Sequence, residues 1–236
     1  MLGRGGDSMK LTYHGLSSKL EVIAVGAEAV LLKGYFLGIK SVYKVRVPKP
    51  YRDPKLDLKI RRERTLIEAK LIASARKAGI NTPYILLIEP EAGVIIMEYL
   101  EGDLLRNTLN SLPDHELRKI LELVGVMTGR MHNEGIIHGD LTTSNIIIHQ
   151  YTREPYLIDF GLAKMSEDIE DKGVDVHLFL RSLESTHFIV KDKAYKYFLA
   201  GYSKVVGEEN LAKVVSKVRE IRLRGRYVEE RRRRRH

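Results

Sequence analysis

Two short stretches near the middle of this 236-residue chain hold the side chains with the most chemistry in them. The first reads His138-Gly139-Asp140-Leu141-Thr142-Thr143-Ser144-Asn145, and the second is Asp159-Phe160-Gly161, which follows the apolar run Tyr156-Leu157-Ile158. Together they offer two carboxylates and an amide, the hard oxygen donors that suit Mg2+. Phosphoryl transfer is the reaction such a set serves, because it asks for positioning and charge neutralisation more than for covalent help. It needs a metal ion on the phosphates, a cation beside them and a carboxylate to orient the attacking oxygen. On this reading Asp140 is the catalytic, base-like carboxylate and Asn145 a metal ligand. Asp159, delivered at the end of a strand, is the second metal ligand. Each carboxylate alone could equally cap a buried turn. The joint spacing, with Asn145 five residues after Asp140 and Asp159 another 14 on, is far more specific.

The cation lies upstream. Lys44 sits in the strand-like Ser41-Val42-Tyr43-Lys44, where protein kinases place the lysine that holds the α- and β-phosphates. Lys40, at the start of the same strand, competes with it. Glu68 lies in the helical stretch Arg64-Thr65-Leu66-Ile67-Glu68-Ala69, where a helix-borne Glu would pair with that lysine. Read singly, these would be an exposed strand lysine and an exposed helical glutamate; their order ahead of the two later motifs gives them a nucleotide role. Between the first two strands runs Val25-Gly26-Ala27-Glu28-Ala29. Gly26, Ala27 and Glu28 are read as an ATP-facing loop, although one glycine replaces the usual three and Glu28 adds negative charge. Met97-Glu98-Tyr99-Leu100 has the look of an adenine-binding hinge, with backbone groups of Glu98 and Leu100 pairing with the base.

The elements needed to position these residues can be traced by periodicity. Alternating patterns over 19–25, 29–36 and 39–47 predict three strands, and the Pro-broken 48–57 a loop. Apolar residues at Ile60, Ile67, Leu71 and Ala75 predict a helix over 56–78 ending at Gly79, followed by strands at 84–89 and 94–98. Beyond Gly102 helices are expected at 103–109 and 114–133, the latter with Asp114 as N-cap, and again over 174–185, 192–205 and 208–223. Arg222, Arg224 and Arg226 are read as ending the last helix. The expected fold is α+β and bilobal. A small sheet-plus-one-helix N-lobe (about 10–98) and a reduced helical C-lobe (about 102–226) place a cleft between them. Residues 1–9 are read as a disordered leader and 227–236 as a basic tail.

Composition sets the remaining bounds. Hydrophobic residues make up 44% and charged residues 30%, a globular balance. No apolar run is long enough for a membrane span. The absence of cysteine excludes disulfides and thiolate metal sites and fits a cytoplasmic protein. A net charge of +9 points to an acidic partner such as nucleic acid.

Taken together, the segments GAEA, RTLIEAKL, HGDLTTSNII, LIDFGLA and the ending RLRGR resemble the small atypical kinase of the KEOPS (EKC) complex, the PRPK family, over nearly the whole chain from Lys10 to Arg226. RIO-type kinases share the GxEA-like loop but lack a true DFG. Aminoglycoside and choline kinases share HGD but carry a larger helical lobe. The resemblance implies an Mg2+- and ATP-dependent Ser/Thr kinase or ATPase with Lys44, Glu68, Asp140, Asn145 and Asp159 as nucleotide and metal residues. It also implies a threonylcarbamoyl-transferase subunit and other KEOPS subunits as partners, and a part in threonylcarbamoyladenosine modification of tRNA. Contact with tRNA through the basic C-terminal region, Arg231–Arg235, is expected on charge grounds. A nucleotide-binding regulatory subunit with little turnover, or a small-molecule kinase, are the alternatives. Departures from ordinary protein kinases are Gly139 in place of Arg, Thr142 in place of Lys, and no Ala-Pro-Glu after Gly161. Asp175 is expected to brace the catalytic loop from the next helix start.

Overall fold

The computed structural model describes the backbone of residues 20–233 and the side chains of 20–224. The leader expected over 1–9, and the side chains of the basic tail expected over 227–236, lie outside them. The described residues divide into two compact units, one of residues 20–73 and 83–100, the other of residues 74–82 and 101–233.

The first unit is an antiparallel sheet of β1 (Glu21–Val25), β2 (Ala29–Phe36), β3 (Ile39–Arg46), β4 (Ile85–Glu89) and β5 (Val94–Glu98), in the order β1-β2-β3-β5-β4. Phe36 pairs with Ile39, so Leu37 and Gly38 alone turn β2 into β3. Their φ values of 50° and 79° give the turn whose twist matches that of the flanking strands. Successive strand residues point to opposite faces, which explains why Val94-Ile95-Ile96-Met97 is buried throughout. Val94 and Ile96 join Leu20, Leu32 and Tyr43 on one face, while Ile95 and Met97 pack with Ala69 on the other.

Ala69 belongs to α1 (Pro54–Lys77). This helix begins inside the segment expected to be loop. The Asp53 carboxylate accepts from the Lys55 and Leu56 amides at 3.0 and 3.1 Å, and Pro54 takes the first helical position, where no amide donor is needed. The buried stripe of α1 also differs from expectation. Ile67 is 52% exposed, whereas Asp57, Thr65 and Glu68 are buried with Ala69, Leu71, Ile72 and Ala75. Polar groups occupy the N-terminal half of the buried face.

The second unit holds a three-stranded sheet of β6 (Gly102–Leu104), β8 (Ile146–His149) and β9 (Pro155–Leu157), and a two-residue pair of β7 (Ile136–Ile137) with β10 (Lys164–Met165). The helix expected over 103–109 is thus a strand at first, because Gly102–Leu104 pairs with β8; α2 (Leu105–Thr108) follows. The longer helices are α3 (Asp114–Asn133), α4 (Ile169–Thr186), α5 (Lys191–Val206) and α6 (Glu208–Arg233). Pro113, not Asp114, stands at the N-cap of α3. Asp168 caps α4 by accepting from the Glu170 amide at 2.9 Å, so α4 starts earlier than expected and Asp175 falls well inside it. The last helix continues past Arg226. Helices α3 and α5 meet at two glycines, where a Cβ on Gly125 would lie 2.0 Å from the Phe198 carbonyl oxygen, and one on Gly201 1.9 Å from that of Glu122.

Candidate active site

In the first unit, the period of two places Val42, Lys44 and Arg46 of β3 on the face that α1 covers. Lys44 Nζ reaches Glu68 Oε1 at 2.5 Å, and Arg46 Nη2 reaches Glu68 Oε2 at 2.6 Å. Glu68 is 1% exposed, so its charge is tolerated there only because both oxygens meet cations. Arg46 is a partner the sequence reading missed, although its place two residues after Lys44 on one strand was the available signal. Glu28, feared as a stray negative charge, is paired with Arg64 and lies 3.5 Å from Arg46. The Arg64 hydrogen bond comes first among the causes that hold its carboxyl below the usual range. The rest of the loop is tied back on itself: Gly26 N–H donates to Ala29 O at 2.9 Å, and Lys49 Nζ donates to Ala27 O. At the expected hinge, Glu98 N–H donates to Tyr84 O and Tyr99 N–H to Lys40 O.

In the second unit, the loop after β7 carries Asp140 and Asn145. Asn145 Nδ2 donates to both the carbonyl and the carboxylate of Asp140, each at 2.8 Å. This orients the amide with its oxygen turned away from Asp140. His138, fully buried, donates from Nε2 to Ile158 O at 3.1 Å and accepts at Nδ1 from the Asp140 amide at 3.3 Å. Those roles require a neutral ring, and burial pushes its pKa down, outweighing nearby carboxylates. Asp159 has a φ of 60° and accepts from the Gly161 amide at 3.1 Å through Oδ1. The Phe160 ring, 1% exposed, lies 4.9 Å from that of His138.

Asp175 braces this loop. Its Oδ2 accepts from His138 N at 2.7 Å and its Oδ1 from Gly139 N at 2.8 Å. His132 Nε2 meets Oδ2 at 3.3 Å, and its Nδ1 meets the Tyr202 hydroxyl at 2.8 Å. No local signal linked His132 or Tyr202 to the loop, since they approach it from α3 and α5. Gly139, read as a lost arginine, has φ 78°, and a Cβ there would lie 2.3 Å from the Leu162 carbonyl oxygen. Geometry excludes any side chain from that position. Among the described residues no cluster of three or more His, Cys, Asp or Glu could hold a metal. A site of one Asp and one Asn completed by phosphate oxygens is a different donor set, and Asp159 and Asn145 are residues of the type that could contribute to it.

The protein kinase domain model matches residues 34–184, so fold and residue set define a protein kinase domain, an ATP-dependent phosphotransferase by class. The fold is also that of the Rio2 kinase of Chaetomium thermophilum in its ADP/Mg2+-phosphoaspartate complex. That likeness has a TM-score of 0.63 at 17% identity and covers 87% of this chain and 71% of that one. The KEOPS complex subunit Bud32 of Pyrococcus abyssi is 41% identical over 216 residues, 89% of this chain and 97% of that protein. The probable bifunctional tRNA threonylcarbamoyladenosine biosynthesis protein of Methanothermobacter thermautotrophicus is 39% identical over 221 residues. Here the match takes in 94% of this chain but spans only 39% of the relative. Within the protein kinases, the chain belongs to the Bud32 family of KEOPS subunits. No described helix is long and apolar enough to cross a membrane.

Proposed function

We propose that the chain binds Mg-ATP and cleaves its γ-phosphate, passing it to water or a Ser/Thr hydroxyl, as the kinase subunit of a KEOPS complex engaged in threonylcarbamoyladenosine modification of tRNA. Asn145 and Asp159 would hold the metal ion, which when bound supplies charge neutralisation at the phosphates. Lys44, kept in place by Glu68, would hold the α- and β-phosphates, and Asp140 would orient the attacking oxygen and take its proton. Gly26, Ala27 and Glu28 would line the phosphate side, and the Glu98 carbonyl and Leu100 amide the adenine edge. The observation that carries the reading is the pair of 2.8 Å bonds from Asn145 to Asp140, which aims an amide oxygen and a carboxylate oxygen from one loop. A threonylcarbamoyl-transferase subunit is the proposed direct partner. The arginines 231–235, whose side chains lie outside the described residues, are the proposed tRNA contact, and the cytoplasm is the proposed location.

The test is Asp159→Ala, assayed by phosphate release from ATP with circular dichroism as the folding control. Loss of charge stabilisation at a transferring phosphoryl group costs on the order of 10²-fold or more, and Asn145→Ala should be milder. Near-wild-type release from Asp159→Ala would remove the assignment.

A further inference from the structure

Asp175 grips only the start of the catalytic loop. Its far end, the 3-10 turn Thr143–Asn145 that carries the proposed metal ligand, has a second anchor. Thr143 N–H lies 3.3 Å from Ser182 Oγ, which itself donates to Phe179 O at 2.7 Å. The Thr143 hydroxyl lies 3.1 Å from His187 Nε2, and His187 Nδ1 lies 2.9 Å from Asn110 Oδ1. Asn110 Nδ2 in turn faces the Thr186 carbonyl at 3.4 Å. Thr143 and His187 are 1% and 0% exposed.

The direction of every proton in this chain follows from its ends. A carbonyl oxygen only accepts, so Asn110 turns its amino group to Thr186 and its oxygen to His187. That oxygen only accepts as well, so His187 carries its proton on Nδ1. In a neutral ring Nε2 is then an acceptor, and the Thr143 hydroxyl donates to it. Burial, with Arg106 adding to it, holds the imidazole below its usual pKa, which agrees with the neutral ring the chain requires. Thr143 is thus clamped through both its backbone and its side chain. Asn145, at the other end of the same short turn, donates its amide to Thr142 O at 3.0 Å and its side chain to Asp140.

We propose that His187 is a positioning residue for phosphoryl transfer: through the Thr143 hydroxyl it sets the turn that aims Asn145 and, through Asn145, the Asp140 carboxylate. The assignment rests on the proposed roles of Asp140 and Asn145. It concerns alignment, so its mark is a loss of kcat with the KM for ATP nearly unchanged.

The experiment measures phosphate release by the full-length chain over a range of ATP and Mg2+ concentrations. Thr143→Val keeps shape and removes the donor. His187→Asn keeps a donor for Asn110 and removes the acceptor for Thr143, whereas His187→Gln places an amide oxygen where Nε2 was. Both Thr143→Val and His187→Asn are expected to lower kcat about tenfold, since small misplacements at a reacting centre carry large penalties. Thr143→Ser and His187→Gln are expected to keep most of the rate. The double variant Thr143→Val/His187→Asn should be no slower than either single one, the sign of one shared interaction. Unchanged kcat in both single variants, a loss confined to KM, or additive losses in the double variant would each overturn the proposal. Asp140→Ala and Asn145→Ala run alongside. If these retain turnover, the reading of the active site has failed; if they lose it while His187→Asn and Thr143→Val do not, only the positioning role has.

Discussion

Glu68→Gln is the sharpest probe of how the first unit is built. The substitution keeps the volume of the side chain and removes the carboxylate that meets Lys44 at 2.5 Å and Arg46 at 2.6 Å. The three side chains are 1%, 9% and 4% exposed, so water cannot take over the solvation of the two cations. Removing one partner of a buried ion pair costs about 3–5 kcal/mol. Glu28, 3.5 Å from Arg46, offsets part of this, so the lower end, about 3 kcal/mol, is expected. For a chain of this size that is a fall of about 6–12 °C in Tm. Lys44→Met is different, because Glu68 keeps its bond to Arg46, and the expected loss is only about 1–2 kcal/mol. Both variants should lose ATP turnover. Guanidinium unfolding and phosphate release on the same preparations test the order, with Glu68→Gln the less stable of the two. Equal stabilities, or Lys44→Met as the weaker fold, would refute the picture of one carboxylate shared between two buried cations.

Gly139→Ala should lower both Tm and turnover, the latter at least about tenfold, because a left-handed backbone costs an L-residue about 1–2 kcal/mol before the clash with the Leu162 carbonyl is counted; a wild-type rate would show that the loop can shift freely. Gly201→Ala should destabilise the α3–α5 contact by about 3 kcal/mol, within the range for overpacking, read as a drop in denaturation midpoint at unchanged m-value. His177 and His187 are both held below the ordinary imidazole value of 6.5, first by burial, then by Arg181 and Arg222 for His177 and by Arg106 for His187. The unfolded chain therefore binds protons first as pH falls through 6.5, and stability should be lower at pH 5.5 than at 7.5, by less in His177→Phe; a midpoint that rises on acidification would contradict this.

What could be read from the sequence followed from local rules. Strand alternation put Lys44 on the face of β3 that α1 covers, and the spacing of Asp140 and Asn145 marked the loop between β7 and β8, with Asp159 following β9. The same rules failed where burial was not apolar. Helix α1 buries Asp57, Thr65 and Glu68 and exposes Ile67, so the expected apolar stripe holds at Leu71 and Ala75 but fails at Ile67. The assumption that a buried face is greasy breaks down where a buried carboxylate is shared between two cations, as Glu68 is between Lys44 and Arg46. Gly102–Leu104 was misread for another reason: a three-residue strand has too little pattern of its own and exists because β8 pairs with it. His132, Tyr202, Asn110 and His187 gave no signal at all, since their partners lie tens of residues away and single buried histidines are common in cores.

These hidden residues bear on how the catalytic loop is kept in place. In an ordinary kinase an arginine before the catalytic aspartate ties the loop to a phosphorylated segment. Here the position is Gly139, and the Leu162 carbonyl fills the space a side chain would need. Asp175, backed by His132 and Tyr202, holds one end of the loop, and His187, backed by Asn110, holds the other. All of these contacts are made inside the second unit, by the side chains of Asp175, His132, Tyr202, His187 and Asn110. The loss of the arginine therefore does not leave the loop without support; the support is built from buried hydrogen bonds formed as the helices fold. Phosphatase treatment tests this: turnover is expected to be unchanged, and a large loss would show that the loop depends on a phosphate after all.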